Sequence, residues 1–277
     1  MCDHSIVHPT TLEPLIRNGG KIPAGWRPTS AGGIWELVLS DIESADWIVV
    51  NSDFVRKTFA WAGFDTTRVK VIYLGIEPEF IEAIPARARA STDGPLQLLF
   101  VGEIGQRKGA DVLFAALSDL TGVDWRLDLV GSITRPLAAR WTNFLGGDRV
   151  TWHGTVGRKR VAALMSRADV FVFPSLAEGS ARVIPEAMAA GCFVITTPNS
   201  GSIVQDDVHG RLVPAGDADA LGATLMDLAD DRGLLPIVGR ANAEAIKRDY
   251  LLEHYTRRME LFYGEILAGG SRNEAQP

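Results

Sequence analysis

LQLLFVGEIGQRKGADVLFAAL, residues 96–117, reads as a buried strand, a glycine-rich loop and an amphipathic helix in succession. The strand is apolar without alternation, which is the pattern of a strand covered on both faces. The same unit recurs downstream. Apolar runs at WRLDLVG (125–131), RVTWHG (149–154), DVFVFPS (169–175) and CFVITT (192–197) alternate with helical patterns such as KRVAALMSRA and PEAMAAG. Continuously apolar strands alternating with helices predict a doubly wound parallel α/β sheet, whose ligands bind at the carboxyl ends of its strands.

Upstream, GIWELVLSDIESA leads into the strand WIVVNS, then a helix DFVRKTFAWAGF and a strand RVKVIYLG. These units predict a partial α/β domain over residues 1–80. A linker rich in Ala, Arg and Pro is expected at 81–95, and the complete domain at 96–250. A terminal helix at 251–267 and a disordered tail at 268–277 finish the expected layout. Two βα units cannot close a sheet or cover their own apolar faces. Self-association through residues 1–80 is therefore expected.

The chain has 277 residues, 46% hydrophobic and 22% charged, enough for two modest globular domains. A formal net charge of -6 gives no general pull toward nucleic acid. Two distant cysteines, Cys2 and Cys192, exclude a disulfide framework and paired-cysteine zinc sites. The first residues are polar, and no apolar run reaches the roughly 18–20 residues that span a bilayer. The expected setting is the cytoplasm, with peripheral membrane association left open.

The chemistry concentrates in PSLAEGSARVIPEAMAAG, residues 174–191. Glu178 lies in a loop after a strand, and Glu186 lies at a helix start where Pro185 suits the first position. A carboxylate in a first helical turn is stabilised by the helix dipole without any ligand, and that is the plain alternative. The functional reading has both carboxylates accepting hydrogen bonds from sugar hydroxyls, while amides of Gly179, Ser180 and Ala181 hold phosphate. A second anion site is read at Gly102 through Lys108, where Arg107 and Lys108 precede a helix N-terminus. Two solvated surface cations are the bland alternative there. The glycines at 102, 105 and 109 fit neither a dinucleotide fingerprint nor a P-loop.

The stretch 174–191 resembles the E-x7-E motif of the group-1 family of retaining GT-B glycosyltransferases, and the order of segments is similar from about residue 40 to 265. The resemblance implies a GT-B-like fold with a donor-binding Rossmann-like domain. It implies transfer of a sugar from a nucleotide diphosphate sugar, with retention, to an unidentified saccharide, lipid-linked or small-molecule acceptor. By this likeness Glu178 faces the donor sugar and Glu186 the ribose. Lys108 and Gly109 match the end of the family's G-R-x-x-x-x-K-G segment. Glu103 stands where the family commonly has Arg, with Arg107 as stand-in, and Ser202 stands where it usually has Glu. Gly201 and Ser202 are placed beside the donor sugar, and His153 beside the nucleobase, although a satisfied imidazole at the core edge is the stronger reading of His153. Gly210 reads as a turn glycine.

Asp217-Ala218-Asp219 has the D-x-D spacing of metal-dependent transferases, but it precedes an amphipathic helix and reads as an N-cap. No metal or other cofactor is expected. Two rival functions remain: a donor-binding module without transferase activity, and a nicotinamide oxidoreductase, which the absent fingerprint argues against.

Overall fold

The computed structural model describes residues 2–4, 7–27, 34–86 and 94–273. The chain first lays down β1 (Cys2–His4), α1 (Pro9–Arg17), α2 (Ile34–Ser44), β2 (Ile48–Val50), α3 (Asp53–Trp61), β3 (Val69–Val71) and α4 (Pro78–Glu82). The three strands form one parallel sheet in the order β1-β2-β3, with Val50 opposite His4 and Val71. Side chains alternate across a strand, so β2 is committed on both faces. Ile48 and Val50 pack with Ile42, Val55 and Phe59 of α2 and α3.

The larger unit runs through β4 (Leu96–Val101), α5 (Ala110–Asp119), β5 (Trp125–Val130), α6 (Arg135–Arg140), α7 (Thr142–Leu145), β6 (Val150–Trp152), α8 (Arg158–Met165), β7 (Val170–Phe173), α9 (Val183–Ala189), β8 (Phe193–Thr196), β9 (Gly210–Leu212), α10 (Ala218–Asp230) and α11 (Leu234–Asp249). Its six strands are parallel in the order β6-β5-β4-β7-β8-β9. The chain therefore winds outward from β4, returns to β7 and winds the other way. The switch point between β4 and β7 opens a crevice at their carboxyl ends. Gly109 lies in this crevice with φ 70°, and a Cβ on it would stand 2.0 Å from the Pro174 carbonyl oxygen. Only glycine permits that approach, which brings Arg107 and Lys108 beside the loop after β7.

The final helix, α12 (Leu252–Asn273), returns to the small sheet. Its Phe262 is 2% exposed and packs with Val49 and Ile72, flanked by Trp47, Tyr255, Met259 and Ile266. The second face of the small sheet is thus covered. That corrects the expected exposure of WIVVNS and VKVIYLG, because the covering element comes from the far end of the chain. The chain's two crossings between the units are hydrogen-bonded together: Ile76 N–H donates to Tyr250 O and Leu252 N–H to Ile76 O, both at 2.9 Å.

Three local expectations also change. The linker stretch 81–95 is ordered at its start: Phe80 belongs to the main core, with Ile81, Ala83 and Ile84 packed against it, and 87–93 lie outside the described residues. The helix expected to stop at 267 continues to Asn273, since each added residue of an established helix gains a hydrogen bond without a new nucleus; residues 274–277 lie outside the described residues. Gly210 is a strand residue rather than a turn glycine. Its φ is 152° and a Cβ would meet the Val194 carbonyl oxygen at 1.8 Å, so β9 reaches β8 only because position 210 lacks a side chain.

Candidate functional site

The crevice between β4 and β7 gathers the first group of expected residues. Gly102 closes β4 with φ 145°, and a Cβ there would sit 3.1 Å from Cδ of Lys108. The Lys108 ammonium lies 3.1 Å from Glu178 Oε1 and 5.2 Å above the Phe173 ring. Arg107 donates to the same Glu178 oxygen and, at 3.3 Å, to the Ala177 carbonyl. Seventy-odd residues of sequence thus fold back to put two cations on one carboxylate whose side chain is 12% exposed. A largely buried carboxylate is tolerated because it is paired, and one positive charge remains in excess. The arrangement can receive an anion.

The loop after Glu178 is held from both domains. The Glu178 amide donates to Asn199 O and the Ala181 amide to Ser200 O, at 2.9 and 3.1 Å. The expectation that Ala181 offers a free N–H is therefore corrected: the turn after β8 consumes it. The amides of Gly179 and Ser180 have no protein acceptor among the described residues. Gly201, φ 61°, lies directly beneath, where a Cβ would stand 2.0 Å from the Gly179 carbonyl oxygen. Its place is fixed by that close approach. From the small unit, the Ser52 hydroxyl donates to Gly179 O while capping α3. Asn199 Nδ2 donates to Gly20 O at 2.6 Å and to Leu176 O at 2.9 Å, a second tie across the crevice. Val7 and Leu15, beside and in α1, add an apolar tie by packing with Phe54 and Ala177.

A narrow cleft adjoins this loop, lined by Tyr73, Glu77, Ser180, Arg182, Glu186 and Ser202 among others. Glu186 sits in the first turn of α9, which begins two residues earlier than Pro185 suggested; Pro185 still falls where no N–H is needed. Burial pushes the Glu186 carboxyl above its ordinary range, against the opposing pull of Arg158, whose Nη2 stands 2.8 Å away. The same Arg158 nitrogen is 3.0 Å from Glu77, and Arg182 pairs with the other Glu77 oxygen. Burial raises the Glu77 pKa, but the hydrogen bonds from Arg182 and Arg158 outweigh it and hold the carboxyl at about 2. Across the cleft, burial pushes the Tyr73 phenol up to about 12 while its hydroxyl donates to Asp53.

His153, at the end of β6, is engaged by Asp128 at 2.6 Å and reads as a satisfied imidazole. Asp217 caps α10 by accepting the Ala220 amide at 2.9 Å, the cap expected of it. Among the described residues no group of three His, Cys, Asp or Glu side chains has the geometry of a metal site, and no helix is long and apolar enough to cross a membrane. Sequence reasoning missed Ser52, Tyr73, Glu77, Arg158, Arg182 and Asn199. Only Ser52 carried a local signal, as a Ser-Asp pair opening a helix.

Residues 95–231 match the family model described as glycosyl transferases group 1. Over 187 residues the chain is 36% identical to a D-inositol 3-phosphate glycosyltransferase of Xylanimonas cellulosilytica, covering 60% of this chain and 45% of that protein. It is 29% identical over 195 residues to the amylovoran biosynthesis glycosyltransferase AmsK of Erwinia amylovora, covering 66% and 47%. The chain spans about half the length of these curated relatives. Among solved structures, sucrose-phosphate synthase from Thermosynechococcus elongatus superimposes with a TM-score of 0.73 at 22% identity, covering 94% of this chain and 66% of that one. Anabaena HepE, solved in complex with UDP and glucose, superimposes with a TM-score of 0.68 at 20% identity, covering 83% and 66%.

Proposed function

From a chain whose residues 95–231 are a group 1 glycosyltransferase domain and whose fold is that of GT-B glycosyltransferases, we propose a retaining hexosyl-type transferase that uses a nucleotide diphosphate sugar. The observation that carries the reading is the convergence of Arg107 and Lys108 on Glu178 at the switch point, beside the unengaged amides of Gly179 and Ser180. An arriving diphosphate would exchange places with Glu178 as the partner of both cations. Glu178, released, is then positioned to accept hydrogen bonds from the donor sugar, and Glu186 from the ribose.

In this proposal catalysis is electrostatic. The bond between the anomeric carbon and the diphosphate oxygen breaks, the acceptor's hydroxyl oxygen bonds to that carbon and its proton passes to the departing diphosphate, whose growing negative charge is met by Arg107, Lys108 and the two amides, already in place before the reaction. No protein group is assigned as general base. Residues 1–80 form the acceptor side, tied to the donor loop through Ser52. The acceptor is a saccharide, a lipid-linked sugar or a small molecule. No metal is required, since the diphosphate charge is handled by cations and amides. UDP is the first ligand to test, because HepE is solved in complex with UDP.

Isothermal titration with UDP, UDP-glucose, GDP and GDP-mannose tests the reading. Glu186→Ala should weaken nucleotide binding by about 1.5–3 kcal/mol, the loss of hydrogen bonds to a charged group. Glu178→Ala should weaken the sugar nucleotide more than the bare nucleotide, and Lys108→Ala the diphosphate more than the nucleoside. Binding should persist in excess chelator. A protein that binds none of the four, or whose Glu178 and Glu186 variants bind as the parent does, overturns the proposal.

A further inference from the structure

We infer that Arg158 is the positioning residue for Glu186: it anchors one carboxylate oxygen and leaves the other for a ligand hydroxyl. The inference rests on the reading of the cleft as a nucleotide-sugar site. Arg158 opens α8, and its Nη2 is shared between Glu186 Oε1 at 2.8 Å and Glu77 Oε2 at 3.0 Å. Its guanidinium also lies 5.2 Å from the centre of the Phe80 ring, so the head group is held by two carboxylates and an aromatic face. Glu186 Oε2 has no hydrogen-bond donor among the described residues. A single hydrogen bond to one oxygen restrains the carboxylate and uses only about a quarter of its accepting capacity.

The charges around Glu186 make Arg158 the decisive partner. The Glu186 side chain is 12% exposed, and burial favours its neutral form. Among the described residues, the charged groups that act on it most are Arg158 from α8, Arg182 just ahead of α9, and Glu77 just ahead of α4. Glu77 opposes ionisation. Arg182 favours it from a distance but is itself committed to Glu77. Among the described residues Arg158 alone pairs with the Glu186 carboxylate. Without it, a buried carboxylate faces a like charge and a neutralised cation, and its neutral form is favoured further. A protonated Glu186 can no longer offer a ligand hydroxyl the charged acceptor that makes the hydrogen bond strong. Glu77 divides Arg158's attention, so removing the Glu77 charge should have the opposite effect.

The test is a ¹³C carboxyl titration of the full chain labelled at glutamate, with the Glu186 resonance assigned through Glu186→Gln. In Arg158→Ala the Glu186 midpoint should rise by about one pH unit or more, the loss of a contacting cation. Arg158→Lys should recover much of the shift, and Glu77→Gln should move the midpoint down. In parallel, UDP affinity is measured at pH 5.5, 7.0 and 8.5, each variant taken relative to the parent so that the ionisation of UDP cancels. Arg158→Ala should bind more weakly than the parent at pH 5.5, with the deficit shrinking as pH rises and Glu186 ionises; a one-unit shift sets a limit of about tenfold, reached at pH values below both midpoints. An unmoved midpoint in Arg158→Ala overturns the inference, as does an unmoved or raised midpoint in Glu77→Gln should the first variant fail to fold. A moved midpoint in a protein that binds no nucleotide supports the anchor and sinks the nucleotide reading instead.

Discussion

Ser52 donates its hydroxyl hydrogen to the carbonyl oxygen of Gly179, 127 residues further along the chain, and accepts the Val55 amide at 3.1 Å. One side chain therefore caps α3 in the small unit and steadies the loop that carries Glu178 in the large one. The two units meet through the site itself.

Ser52→Ala should lose both bonds and cost about 1–2 kcal/mol of stability, the range for an N-cap plus a tertiary hydrogen bond. Ser52→Asp keeps an acceptor for Val55 but has no hydrogen to give Gly179 when ionised. It should recover the cap stability in urea denaturation and still bind UDP more weakly than the parent. Parent-like binding in both variants would mean the Gly179 loop does not depend on this tie.

Gly201 and Gly19 share a left-handed conformation, at φ 61° and 60°, but differ in what a Cβ would meet. At Gly19 none of the described residues beyond its chain neighbours lies within 4 Å of it. At Gly201 there is the Gly179 carbonyl at 2.0 Å and Ser52 Oγ at 2.9 Å. Gly19→Ala should cost about 1–2 kcal/mol, the price of the left-handed backbone alone. Gly201→Ala should cost distinctly more and displace the Gly179 loop, seen as weaker UDP binding if the proposed site is right. Equal thermal shifts for the two variants would refute the close-approach explanation.

Phe262 is the centre of the cover that α12 places on the small sheet, with its ring edge-on to Trp47 at 5.5 Å. Phe262→Ala should cost about 3–5 kcal/mol, the range for a buried phenylalanine, or less where the surroundings collapse. It should also promote association by uncovering Trp47, Val49 and Ile72. Light scattering against concentration, parent beside variant, measures this. A variant that stays monomeric while the parent self-associates would reverse the assignment of α12 as the cover.

Glu77 supplies a pH signature. Its carboxyl is held at about 2 against an ordinary 4.5, so the folded state prefers the ionised form. The stability this contributes is fully present above pH 4.5 and is lost as the pH falls toward 2. Urea midpoints of the parent and of Glu77→Gln should therefore differ most above pH 4.5 and draw together toward pH 2. A gap that stays constant across that range would mean the two arginines contribute nothing measurable through Glu77.

The parallel α/β architecture, the loop positions of Lys108 and Glu178, and the capping role of Asp217 were legible in the sequence alone. They rest on signals that are local: an unbroken apolar run means a strand covered twice, and an Asp before an amphipathic stretch means a cap. The paired motif was legible because its two carboxylates are close in sequence and sit on adjoining elements. What the tertiary structure decided are the partners. Arg158, Arg182 and Glu77 look in sequence like solvated surface charges, and nothing at Phe262 says that its ring will rest on β2. Gly210 looked like a turn because the approach of β8, not its own neighbours, demands a missing side chain. Local pattern fixes which face of an element must be buried. Only the crossing order of the chain decides which residue, often more than a hundred positions away, arrives to bury it or to neutralise its charge.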